Sequence, residues 1–104
     1  MIEADRYNEG KLRYDLIPVE ALEDLAKLYT EGAKKYADRN WEKGMAFSKM
    51  YASLLRHLFK FWMGEDIDKE TGVNHMTAVA WNAMAIVTYM KRGLNNYDDR
   101  IKNN

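Results

Sequence analysis

Between two apolar stretches the chain reads Gly64-Glu65-Asp66-Ile67-Asp68-Lys69-Glu70-Thr71-Gly72-Val73-Asn74-His75, with four carboxylates and one histidine in its last eleven residues. Oxygen-rich clusters of this kind suit hard cations such as magnesium, which takes one or two carboxylates and keeps water and substrate phosphates. Glu65 and Asp68 stand three residues apart, on one side of a helical turn, so both can reach one ion. They are the expected metal ligands. Glu31 completes the set only if its helix face is turned toward another subunit. A solvated acidic loop is the plain alternative. An EF-hand is excluded, since the loop is too short and its glycine is misplaced.

His75 closes this segment, and Asn82 follows seven residues later, two helical turns along the same face. Buried polar groups need partners, so both are expected to point inward and be hydrogen-bonded near the acidic loop. They are the catalytic candidates, with His75 orienting a carboxylate or an attacking water rather than acting as nucleophile. His57, next to Arg56, reads as a packed residue at the edge of the core. The two histidines lack the spacing of an HExxH pair. Lys11 and Arg13, in the polar stretch ahead of the first helix, either clamp phosphates or are simply solvated. There is no glycine-rich phosphate loop, no Ser–His–Asp arrangement and no cysteine.

Three helices must position these groups. The first is expected from Pro18 to Tyr36, since proline fits a first turn and Leu22, Leu25, Ala26, Tyr29, Ala33 and Tyr36 recur at helical spacing. The second runs from Ser48, as N-cap, to Met63, with Gly64 as its stop. Its stripe is Tyr51, Leu54, Leu55, Leu58 and Trp62. The third runs from Asn74 or His75 to Arg92. Its main stripe is Val79, Ala83, Ile86 and Met90, but Ala80, Trp81, Met84 and Val87 make it apolar nearly all round. Such a helix is buried on several sides, at the centre of a bundle or in a subunit interface. No segment reads as a strand. The expected fold is all-α, a small bundle of three main helices completed by oligomerisation, over residues 9–93, with 94–104 as a C-terminal tail.

The whole chain has 104 residues, 47% apolar and 31% charged, with sixteen basic residues balancing sixteen acidic ones. That is one domain's worth of ordinary globular sequence. The zero balance argues against a broad nucleic-acid binder. No window approaches the roughly 18 apolar residues of a membrane span, and the polar N-terminus is unlike a signal peptide. A cytoplasmic protein is expected.

Several blocks together resemble a phage domain family of dATP/dGTP diphosphohydrolase-like proteins. They are Gly10-Lys11-Leu12-Arg13-Tyr14-Asp15-Leu16-Ile17-Pro18, Gly32-Ala33-Lys34-Lys35-Tyr36, Asp38-Arg39-Asn40-Trp41-Glu42-Lys43-Gly44, Arg56-His57-Leu58, Gly64-Glu65-Asp66 with Asp68, Glu70-Thr71-Gly72 with His75, and Trp81-Asn82-Ala83. The resemblance spans about residues 9–92. It implies a small all-α phage protein acting on purine deoxynucleoside triphosphates, with magnesium and release of pyrophosphate, in the host cytoplasm. It also suggests a link to MazG-like pyrophosphohydrolases, which hold magnesium on ExxE and ExxD pairs of facing helices, usually within oligomers. Here Glu31 is followed by Lys34, and the matching face of the third helix carries His75, Ala78 and Asn82. Only Glu65 and Asp68 keep an ExxD spacing. With a nucleotide as ligand, Lys35 and Arg39 join Lys11 and Arg13 as the candidate phosphate contacts, and Trp41 is the candidate stacking face for the base. The alternative function is a protein that binds a nucleotide-derived ligand without hydrolysing it.

Overall fold

The computed structural model describes residues 4, 5, 7 and 9–102. Helices α1 (Val19–Lys35), α2 (Phe47–Trp62) and α3 (His75–Lys91) carry the fold, each end within one residue of its expected place. Among the described residues there is no strand, only a single antiparallel bridge between Ile67 and Asn74. Among the described residues, no helix is long and apolar enough to cross a membrane.

The helix starts differ from expectation in an instructive way. Ser48 is not the N-cap of α2; Ala46 holds that position without a side-chain cap. The cap comes from the far end of the chain, where the Asp99 carboxylate accepts the Ser48 amide N–H at 2.9 Å and the Ser48 hydroxyl as well. A carboxylate there satisfies an orphan donor and meets the positive end of the helix dipole. Asn74 holds the N-cap position of α3, but its side chain donates to Asp24 of α1 at 3.2 Å. Past α2, Gly64 turns the chain at φ 99°, a conformation that glycine adopts without strain.

Helix α3 is the centre, packed against α2 on one side and α1 on another. Its buried face is His75, Ala78, Asn82, Ala85 and Tyr89, not the expected stripe of Val79, Ala83, Ile86 and Met90. A helix apolar all round leaves hydrophobicity unable to select a face. The alanines at 78 and 85 select it instead, because small side chains let a neighbouring helix come close. Phe47, Met50, Ala85 and Tyr89 form the core of the α2–α3 seam. From the stripe expected on α2, Tyr51 and Trp62 are exposed, and from that on α1 so are Leu22, Ala26 and Tyr36.

The segment 94–102 folds back rather than hanging free. The Tyr97 hydroxyl donates to the Lys43 carbonyl at 3.1 Å, and its ring lies where a side chain on Gly44 would stand. Gly44, at φ 106°, is therefore required both for its conformation and for its lack of a Cβ. Tyr89 donates its hydroxyl to the Trp41 carbonyl. Together these contacts hold the short 3₁₀ turn at Asn40–Lys43.

Much apolar surface stays uncovered. Trp62 is 83% and Met63 84% exposed, and Tyr51, Phe59, Leu12, Tyr14, Leu16 and Val19 are exposed too. The Cα radius of gyration is 17.3 Å, against about 13 Å for a compact chain of this length.

Candidate functional site

A cavity of about 660 Å³ opens between α1, the residues 37–45 that follow it, and the adjoining faces of α2 and α3. One wall is aromatic. Tyr29, Trp41 and Trp81 touch one another, with ring centroids 6.0 Å (Tyr29–Trp41), 5.9 Å (Tyr29–Trp81) and 6.1 Å (Trp41–Trp81) apart. Trp41 also stacks on Tyr89 from the core, at an interplanar angle of 10°. The rim carries the exposed Lys35 and Arg39 beside Glu31 and Glu70, which are exposed, and Glu42, which is half-buried. Lys35 pairs with Glu70 at 3.4 Å and Arg39 with Glu42 at 3.2 Å. Exposed pairs of this kind contribute little, so an incoming phosphate can compete for both cations. The more buried lining is Ser53, His57, Ala78 and Asn82. The Asn82 amide donates to the Ala78 carbonyl at 2.9 Å and to Ser53 Oγ at 3.3 Å.

Beside this lining sits a polar cluster drawn from α2, the acidic loop and the start of α3. The Nδ1 atoms of His57 and His75 are 2.9 Å apart. His75, only 1% exposed, donates from Nε2 to Glu65 Oε2 at 2.6 Å. That bond holds the Glu65 carboxyl below its ordinary value, helped by Lys60 and Lys69. An ionised carboxylate only accepts, so His75 carries its proton on Nε2 and presents a bare Nδ1 while neutral. Burial holds His57 below its ordinary value. The pull of Asp68 opposes that, and His75, Arg56 and Lys60 reinforce it. Asp68 Oδ2 lies 3.9 Å from His57 Nδ1, and its other oxygen accepts the Glu70 amide at 3.0 Å. The loop is braced by Asp68 N–H to the Val73 carbonyl at 2.9 Å and His75 N–H to the Asp66 carbonyl at 2.8 Å.

The structure thus sorts the residues expected from sequence. Glu31, Lys35, Arg39, Trp41 and Asn82 line the cavity. Glu65, Asp68 and His75 meet in the cluster, but His75 is not on the cavity wall; His57 is. Glu31 is exposed, pairs with Lys34 at 3.5 Å, and is not among the donor atoms gathered around the histidines. Lys11 and Arg13 do not line the cavity. Lys11 is exposed, and Arg13 is spent on Asp15 through bonds of 2.8 and 2.7 Å. Sequence reasoning missed His57. Its one available sign was that the chain holds a single other histidine, and eighteen residues of separation concealed their contact.

A family model described as dATP/dGTP diphosphohydrolase, N-terminal, matches residues 2–100. The chain is 28% identical over 81 residues to a dATP/dGTP diphosphohydrolase of Salmonella phage PMBT28, covering 78% of this chain and 28% of that protein. The chain therefore spans little more than a quarter of the length of this relative. No solved structure matches.

Proposed function

The chain belongs to the dATP/dGTP diphosphohydrolase N-terminal family, and from that premise we propose that its cavity binds a purine deoxynucleoside triphosphate for metal-dependent release of pyrophosphate. The observation that carries this reading is one cavity with an aromatic wall, a cationic rim and an imidazole in its lining. Its volume suits a ligand of that size. A purine ring meets Trp41, Trp81 and Tyr29, where stacking needs no base-specific contact. The phosphates draw Lys35 and Arg39 away from Glu70 and Glu42. The Asn82 amide group is occupied, so its Oδ1 is the atom left to accept from the ligand. His57, kept neutral by burial, can take a proton from an attacking water, while Glu65 fixes the His75 ring that His57 leans on.

Magnesium, expected from the acidic loop, is a poor fit to the cluster as the structure assembles it. Two of its donors are imidazole nitrogens, and magnesium takes oxygen ligands. In this reading magnesium belongs with the triphosphate oxygens, as part of the substrate.

A second reading is binding without turnover. It is supported by the short span of the relative that this chain covers and by the absence of paired carboxylates on α1 and α3 facing the cavity. The deciding experiment is incubation with dATP or dGTP and magnesium or manganese, scoring pyrophosphate and bound nucleotide together. Pyrophosphate release supports the first reading. Saturable binding with no product supports the second, and neither binding nor product overturns both.

We also infer a homo-oligomer. The exposed Trp62 and Met63 and the open shape of one chain are what a second copy of this chain would cover.

A further inference from the structure

We propose that His57, His75 and Asp68 form a binding site for a first-row transition-metal ion of the class that prefers imidazole, with Glu65 as its positioning residue. This goes beyond the nucleotide reading and does not depend on it: an ion on His57 Nδ1 leaves that ring's proton on Nε2, so the metal-bound state does not use His57 as the base. The three side chains come from α2, the acidic loop and the first residue of α3, and one donor atom from each lies within 4.8 Å of the other two. Two nitrogens each about 2.1 Å from one ion, at the tetrahedral angle, stand roughly 3.4 Å apart. The two Nδ1 atoms are at 2.9 Å and the carboxylate oxygen is 3.9 Å from one of them. That spread brackets the requirement.

Three further features point the same way. The tautomer is set: Glu65 takes the Nε2 proton of His75, leaving the Nδ1 lone pair aimed at the shared space. A carboxylate behind a ligating histidine is the recurrent device that fixes ring orientation and raises its basicity. Asp68 is fixed too, since the Glu70 amide holds Oδ1 and leaves Oδ2 toward the histidines. Finally, His57 both belongs to the cluster and lines the cavity, so an ion held here would adjoin the ligand space. The donor set of two imidazoles and one carboxylate suits zinc, iron or nickel better than magnesium or calcium.

The competing account is a metal-free hydrogen-bond chain, Glu65 to His75 to His57, in which His57 donates its Nδ1 proton across the 2.9 Å contact. In that state the site is filled by its own proton. Binding an ion requires that proton to leave His57 Nδ1, so the two accounts differ in a measurable tautomer.

The test is titration of the full chain with Zn²⁺, Co²⁺ and Mg²⁺, followed by calorimetry, by the visible absorption of Co²⁺ and by ¹⁵N imidazole NMR. The expected result is one Zn²⁺ or Co²⁺ per chain, visible Co²⁺ bands, a shift of both Nδ1 resonances, and weaker binding of Mg²⁺. Glu65→Gln should weaken Zn²⁺ binding about 10–100-fold while keeping the Co²⁺ bands. His57→Ala and Asp68→Asn should lose the bands, and Glu70→Gln should match the wild type. His57 is part-exposed, so His57→Ala serves where the buried His75→Ala fails to fold. Wild type that binds Co²⁺ no better than His57→Ala, or that keeps His57 protonated on Nδ1 in excess Zn²⁺, overturns the proposal. Absence of Zn²⁺ and Co²⁺ binding in a chain that still binds dATP or dGTP leaves the nucleotide reading standing and this one fallen.

Discussion

Helix α3 meets its two neighbours in opposite ways. Toward α2 it presents Ala85 and the buried Tyr89, and the seam closes around Phe47 and Met50 with the histidine pair at one end. Toward α1 it presents Trp81, which props the helices apart against Tyr29 and Trp41 and leaves a cavity of about 660 Å³. Small residues bring backbones together and so fix side-chain donors to within tenths of an ångström. Large rings hold space open. The difference separates a rigid seam that positions polar groups from a cleft that admits a ligand, on two sides of a single helix.

The comparison can be broken first at the seam. Met50 is 1% exposed, and truncation of such a residue leaves a cavity, so Met50→Ala should cost about 2–5 kcal/mol in urea unfolding. A cost near that of a surface change would show that the seam is not the core. Asn82 sits where seam and cleft meet. Asn82→Ala leaves Ser53 without its partner and should cost about 1–3 kcal/mol, read by thermal melting, and weaken nucleotide binding in the same protein. Loss of stability with unchanged binding would assign Asn82 to the seam alone. Trp62→Lys touches neither region. It should alter the unfolding free energy of the separated monomer by under about 0.5 kcal/mol and yet lower the mass seen by light scattering, with any extra stability from association lost with it. A wild type that is already a stable monomer at micromolar concentration would refute the oligomer.

The smallest effect concerns the end of α2. Hydrogen bonds from the Ser48 hydroxyl and amide hold the Asp99 carboxyl below its ordinary value. A carboxyl depressed in the folded state contributes stability that is fully present above its ordinary pKa, near 3.9, and lost as the pH falls through its lowered folded value. Thermal melts between pH 2 and 6 should therefore drop on the acid side, and Asp99→Asn should shallow that drop. An unchanged acid limb in the variant would remove Asp99 from the account.

How much of this was legible in the sequence follows from the range of each interaction. Helix ends were readable because Pro18 and Gly64 act on their own neighbourhoods. The inward turn of His75 and Asn82 was readable because their seven-residue spacing is a property of one helix. The buried face of α3 was not, since apolar residues surround the helix and the choice lay with Ala78 and Ala85 and their neighbour. The Asp99 cap and the His57–His75 contact were hidden for the same reason. Each joins residues from separate elements, 51 and 18 positions apart, and no local pattern encodes it. Lys35, Arg39 and Trp41 do share a cavity, while Lys11 and Arg13, similar in type, do not.

The central claim is that the cleft, with its aromatic wall and cationic rim, receives a purine deoxynucleoside triphosphate. Tryptophan fluorescence reads it directly, because Trp41 and Trp81 line the cavity and Trp62→Phe removes the exposed third indole. Titration of that variant with dATP or dGTP should give saturable quenching, which the Lys35→Ala, Arg39→Ala double variant weakens at least tenfold. Quenching that is absent up to millimolar nucleotide, or is unchanged in the double variant, would contradict the account.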